Sequence, residues 1–223
     1  MTRLTLFVAP YACPRVPTAA LEEVGVPFET IVVGIDAGEH KSPEFQKLNP
    51  KGKVPCLLVN DEPLTENVAI LSWLHRRFPD AGLLPATDCE LEKMRQVADL
   101  AFCAGGLHPI VTRIRMSHRF VEDPSLALQV RKKGIDAMRP NADMINDRLA
   151  GSNWWYADKW SVIDAYLHWI WFRMTGAGFP AGDYPHWQAH YERTSNYPSV
   201  QKMLAREVQW QAELESRGAA YPP

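Results

Sequence analysis

Two clusters of residues in the first third of this chain are placed to do chemistry. The first is the loop Ala9-Pro10-Tyr11-Ala12-Cys13-Pro14-Arg15, where Cys13 stands directly before a stretch that reads as a helix with Pro14 in its first turn. The positive end of a helix dipole favours thiolate over thiol, so a cysteine at that point is suited to nucleophilic attack or thiol exchange. Val16 occupies the place where a CxxC motif would carry its second cysteine. That excludes a dithiol cycle and leaves an external thiol as the resolving partner. Cys56, Cys89 and Cys103 have no paired spacing either and read as small apolar side chains.

The second cluster is Asn49-Pro50-Lys51-Gly52-Lys53-Val54-Pro55, with the pair Glu66-Asn67 following eleven residues after Pro55. A proline that opens the apolar run Cys56 to Val59 has no N–H to give a sheet ladder. Two conformations resolve the conflict. One is an edge strand with an ordinary Pro55; the other is a cis Val54-Pro55 bond, which turns the Val54 N–H and C=O outward to meet an extended peptide ligand.

The elements that must position these residues are legible from periodicity. Leu4 to Val8 reads as a short apolar strand, Cys13 to Val24 as a helix closed by Gly25, and Phe28 to Val33 as a second strand, which together make a βαβ unit. A strand within Lys53 to Asn60, a break at Asp61-Glu62, and a helix from Glu66 to Phe78 stopped by Pro79 complete a strand-strand-helix half. A turn-prone stretch then leads into a chain with almost no strand signal. From Cys89 to Phe120, Leu91, Met94, Val97, Ala98, Ala101 and Phe102 recur at helical spacing, and Gly105, Gly106 and Pro109 interrupt them. This implies either one kinked helix or one ending near Gly106 and another resuming after Pro109. Ser125 to Leu149 reads as a helix bent or divided at Pro140, and later helices fall at about His186 to Arg193 and Ser199 to Leu214. Ser161-Val162-Ile163-Asp164 is the clearest helix start, a shortened capping box ahead of the apolar run Ala165 to Phe172, which should be the buried central helix. The tryptophans 154, 155, 160, 169 and 171 fit core packing better than a ligand box.

The order β-α-β, connection, β-β-α resembles the thioredoxin fold. With the motif at 49–55 and the Glu66-Asn67 pair, the chain resembles a cytosolic-type glutathione transferase. The expected fold is an α/β N-terminal thioredoxin-like domain (residues 1–80), a linker (81–88), and an all-α C-terminal domain (89–223). In that family a hydroxyl or thiol at the end of the first strand stabilises the glutathione thiolate or reacts directly. Ala9 cannot do this, which leaves Tyr11 and Cys13. The placement of Cys13, and the Leu107-His108 pair on the first C-terminal helix, are similar to the bacterial beta class. That resemblance implies that His108 donates to the sulfur of Cys13 or of glutathione. It also implies a cradle for the tripeptide. Val54, ahead of Pro55, pairs with the cysteinyl backbone; Glu66 accepts from the γ-glutamyl ammonium; Asn67 and the following helix N-terminus hold the γ-glutamyl carboxylate; Lys53 neutralises the glycyl carboxylate. Asn67 stands where the family usually carries Ser. Tyr11, Arg15, Arg113 and Arg173 are expected to line the pocket of the second substrate, which favours an anionic or carboxylate-bearing electrophile.

Composition narrows the remaining choices. At 223 residues the chain can bury the cores of two modest domains, and its net charge of −2 gives no electrostatic reason to expect nucleic acid or an anionic membrane. No apolar run reaches the length needed to span a bilayer, and the N-terminus lacks the pattern of a secretory signal, so a cytoplasmic enzyme is expected. The expected activity is attack of the glutathione thiolate on an electrophilic small molecule, or Cys13-dependent exchange that removes glutathione from a conjugate or mixed disulfide. Glutathione is the co-substrate, no metal is expected, and the family relationship implies a homodimer. The alternative is a non-catalytic glutathione-binding or protein-interaction module built on the same fold.

Overall fold

The structure is a computed structural model that describes residues 2–220. The chain separates into two compact units, Met1–Leu83 with Tyr197–Pro223, and Leu84–Asn196. The first unit is a thioredoxin-like α/β layer. Its sheet has the order β2-β1-β3-β4, from β1 (Leu4–Val8), β2 (Glu29–Val32), β3 (Cys56–Val59) and β4 (Glu62–Thr65). β1 pairs parallel to β2 with Leu6 opposite Thr30, and antiparallel to β3 with Leu6 opposite Leu57.

All five residues of β1 are buried, because the central strand is covered on both faces and needs no polar side. α1 (Arg15–Val24) and α3 (Asn67–Arg77) cover one face and contact each other. On the other face, Phe7, Val33, Cys56 and Phe45 form a cluster in which the Phe7 and Phe45 rings meet edge to face at 5.5 Å. Phe45 belongs to α2 (Pro43–Leu48), a six-residue helix that sequence periodicity did not reveal, since only one of its side chains is buried. Its start is nevertheless written locally. Ser42 Oγ accepts from the Phe45 N–H at 3.2 Å, and Pro43 takes the first helical position.

The turn between β3 and β4 consists of Asn60 and Asp61, both at positive φ (50° and 73°), as a two-residue hairpin turn requires. The Val54-Pro55 bond that precedes β3 is cis.

The second unit is helical: α4 (Glu90–Ala101), α5 (His108–Arg115), α6 (Ala127–Leu149), α7 (Val162–Thr175) and α8 (Pro185–Ser195). Of the two expectations for the region around Gly106, neither describes it fully. α4 passes into α5 through a π-helical stretch, Phe102–Leu107, without a break, and Pro109 falls in the first turn of α5. α6 likewise runs undivided past Pro140. Pro140 and Asp136 are both exposed, so the carbonyl released by the proline can meet water. Leu91 and Met94, read as part of the apolar stripe of α4, are 59% and 50% exposed.

α7 is the buried centre, as the capping box predicted. Ser161 Oγ accepts from the Ile163 N–H at 3.2 Å, and Asp164 Oδ2 accepts from the Ser161 N–H at 2.8 Å. The fully buried Asp164 carboxylate also accepts from the Trp155 N–H at 2.7 Å and lies 2.8 Å from His190 Nε2. With the Ser161 hydroxyl, which donates to Oδ2 at 2.9 Å, four donors compensate a charge that would otherwise be costly to bury.

The last helix, α9 (Pro198–Ser216), was expected in the helical domain at 89–223 but is grouped with the sheet. Tyr197 donates to Glu23 at 3.2 Å, Trp210 Nε1 to Thr30 Oγ1 at 3.2 Å, and Arg217 to the Val32 carbonyl at 3.1 Å, while Arg206 pairs with Glu22. No linker separates α9 from α8, so nothing local in the sequence assigns it.

Candidate active site

In the first unit, the loop between β1 and α1 carries Cys13, and the fold brings the two chemical clusters of the sequence together there. The half-exposed Cys13 thiol lies 3.5 Å from the Val54 carbonyl, as a donor. Asn67 Nδ2 donates to the Cys13 carbonyl at 3.4 Å. Pro14 is the N-cap of α1, so Cys13 stands just outside the helix start. Residues 13, 54 and 67, apart in sequence, are therefore neighbours at Cys13.

The local sequence explains how the 49–55 segment holds its shape. The buried Asn49 side chain donates to the Lys53 carbonyl at 2.6 Å and accepts from the Lys51 N–H at 3.2 Å. Gly52 has φ 59°, and a Cβ there would sit 3.0 Å from the His40 carbonyl oxygen, so both the backbone conformation and the space demand glycine. Glu66 also takes a positive φ (74°) at the entry to α3, and its carboxylate side chain is 65% exposed. Lys51 Nζ bonds that carboxylate at 2.6 Å and Thr65 Oγ1 at 2.8 Å. Lys53, expected to serve a carboxylate, is exposed.

Tyr11 and Arg15 flank Cys13. The Ala12 N–H bonds the Ala9 carbonyl at 3.3 Å, with Pro10 second and Tyr11 third in the turn at φ 60°, the arrangement of a type II turn. Arg15, expected beside a substrate pocket, is 4% exposed and forms a forked pair with the buried Glu207 of α9. Glu207 Oε1 also accepts from the Tyr11 N–H at 2.7 Å. Burial, and then the charge of Glu207, push the Tyr11 phenol above its ordinary value of 10.0 against the opposing pull of Arg15. Tyr11 is therefore a hydrogen-bond donor at neutral pH. Burial pushes the Cys56 thiol up to about 11 and raises Cys103 further, so neither supplies a thiolate.

The remaining predicted residues lie in the second unit. His108 opens α5, with Nδ1 3.3 Å from the Tyr166 hydroxyl and its ring edge-on to Trp169 at 4.4 Å. Arg113 is exposed on α5, whereas Arg173 of α7 is 4% exposed. Asn49, Lys51, Thr65 and Glu207 were not singled out as site residues. Asn49 and Lys51 lie within the quoted motif; Glu207 has no local signal at all.

Residues 2–76 match the family model for the glutathione S-transferase N-terminal domain. Glutathione S-transferase 3 of Zea mays is 30% identical over 215 residues, which span 92% of this chain and 95% of that protein. The chain belongs to the glutathione S-transferase family. Among solved structures of the family, the bacterial beta class glutathione S-transferase of Sphingomonas chungbukensis superposes with a TM-score of 0.79 at 29% identity, covering 91% of this chain and 98% of that one. A sphingomonad glutathione S-transferase complexed with glutathione matches at 27% identity and TM-score 0.79 over 92% and 98% of the two chains. Among the described residues of this glutathione S-transferase, no helix is long and apolar enough to cross a membrane.

Proposed function

We propose that the protein is a glutathione transferase whose sulfur chemistry is carried out at Cys13. The carrying observation is the 3.5 Å approach of the Cys13 thiol to the Val54 carbonyl, the backbone group suited to pairing with the cysteinyl unit of glutathione. A ligand laid along Val54 brings its own sulfur to Cys13. Glu66 takes the γ-glutamyl ammonium and Asn67 with the start of α3 the adjoining carboxylate; Lys51 joins Lys53 as a cation for the glycyl end once the ammonium displaces it from Glu66. Tyr11 donates to the thiolate, and His108 remains the candidate donor from the helical unit, as in the beta class.

Two reactions fit this equipment. In conjugation, the glutathione thiolate attacks an electrophilic carbon and the leaving group departs with the bonding pair. In exchange, the Cys13 thiolate attacks the glutathionyl sulfur of a mixed disulfide and releases the other thiolate. A second glutathione thiolate then attacks the Cys13 adduct, giving glutathione disulfide and regenerating Cys13. We favour exchange because Cys13 is a thiol, half exposed, in the position of the reacting group. The family relationship supports a homodimer. Calorimetric titration with glutathione, joined to assays with a mixed disulfide and with an activated aryl halide, tests the proposal. Absence of glutathione binding removes the reading, and binding without turnover leaves the non-catalytic module.

A further inference from the structure

The buried carboxylate of Glu207 makes contacts that a purely structural ion pair does not need. Glu207 is 4% exposed, and Arg15, which donates to it through Nε at 2.7 Å and through Nη2, is equally buried. The same Oε1 accepts from the Tyr11 backbone N–H at 2.7 Å. One side chain of α9 therefore holds the segment Tyr11–Arg15 at both ends, by the main chain at residue 11 and by the guanidinium at residue 15. Cys13 is the midpoint.

The segment needs such a hold. Tyr11 is the third residue of its turn at φ 60°, a position that favours glycine and costs a side-chain-bearing residue about 1 kcal/mol. Cys13 itself precedes the first turn of α1 and takes no part in a strand or helix. A charge-assisted bond from a buried carboxylate to the Tyr11 N–H is worth more than a neutral one and has a fixed direction. Because α9 packs along α1, the carboxylate is anchored on a rigid element rather than a loop.

We propose that Glu207 is a positioning residue that fixes the Tyr11–Arg15 segment, and with it the Cys13 thiol, against the glutathione-pairing backbone of Val54. This rests on the reading of Cys13 as the residue that handles the glutathione sulfur. Glu207 touches neither substrate nor reacting atoms; it acts through Tyr11 and Arg15. The C-terminal helix thereby sets the geometry of a site made from the first 67 residues.

The test uses the full chain with Glu207→Gln and with the pair Glu207→Leu and Arg15→Met, the second change avoiding a buried unpaired guanidinium. The double variant is expected to lose about 100-fold in kcat for thiol exchange, the usual consequence of misplacing a reacting group by about 1 Å. Its glutathione Kd should stay within about threefold of wild type, since the cradle residues are untouched. Glu207→Gln keeps an acceptor for the Tyr11 N–H and should fall only about three- to tenfold in kcat. The rate and pH profile of Cys13 alkylation by iodoacetamide, read by mass spectrometry, should change in the same order. A cooperatively folded double variant with wild-type kcat and alkylation rate overturns the proposal, as does a parallel loss of kcat and glutathione affinity. If the wild type neither binds nor turns over glutathione, the functional reading fails, and the alkylation rates alone decide whether Glu207 positions Cys13. If the double variant does not fold, wild-type kcat and alkylation in Glu207→Gln overturn it.

Discussion

Lys51 Nζ lies 2.6 Å from Glu66 Oε1, so the acid proposed to take a ligand ammonium already carries a cation from the chain itself. Both side chains are largely exposed (47% and 65%), and such a pair is worth about 0–1 kcal/mol, little enough for a bound ammonium to replace it. Replacing Glu66 by Ala is expected to weaken glutathione binding by about 1.5–3 kcal/mol through loss of a charge-assisted bond. Lys51→Met should change it by less than about 1 kcal/mol. Calorimetry on both proteins checks the pair; an unchanged affinity for Glu66→Ala with a large loss for Lys51→Met would mean that Lys51, not Glu66, holds the ligand.

Under the proposed function, Cys13 determines which reaction the protein performs. Cys13→Ala is expected to abolish exchange with a mixed disulfide, and mass spectrometry of the wild type should trap a glutathionyl adduct on Cys13. Cys13→Ser keeps a donor but cannot form the disulfide. Conjugating activity that survives in both variants, without an adduct in the wild type, would make Cys13 a binding residue only.

Cys56 makes one contribution to the alkaline pH dependence of stability, beside those of Cys103 and Tyr156, whose pKa values burial also raises. Burial raises its folded thiol from 9.0 to about 11, so the unfolded chain gives up that proton first as pH rises. The stabilisation is whole below pH 9 and is lost between about 9 and 11. The two-unit displacement corresponds to about 2–3 kcal/mol. Denaturant melts of wild type and Cys56→Ala across this window should show a shallower decline in the variant, and parallel curves would contradict the assignment.

The helical unit hangs on Asp164. Ser161→Ala should cost about 1 kcal/mol as the loss of a cap. Asp164→Ala should cost about 3–5 kcal/mol, because the Ser161 and Trp155 N–H groups and His190 would lose their buried partner together. Equal, small losses in urea unfolding would show that the cap alone matters.

Local physics made much of this protein legible in its sequence. Short apolar strand runs, the Ser161-Asp164 box and the proline at 55 all act over a few residues, so the thioredoxin-like half, the central helix and the 49–55 motif could be read before any coordinates. Short or context-held elements could not: α2 buries only Phe45 and leaves no periodicity, and the π-helical stretch at 102–107 depends on packing. Tertiary structure alone decided the partners of long-range charges. Nothing near Arg15 distinguishes a pocket lysine-like cation from a buried structural one, and its carboxylate lies 192 residues away. Likewise, that Lys51 rather than Lys53 reaches Glu66 follows from how the loop turns at Gly52, not from the charge pattern, which is the same for both. Charges interact through space, and only folding sets those distances.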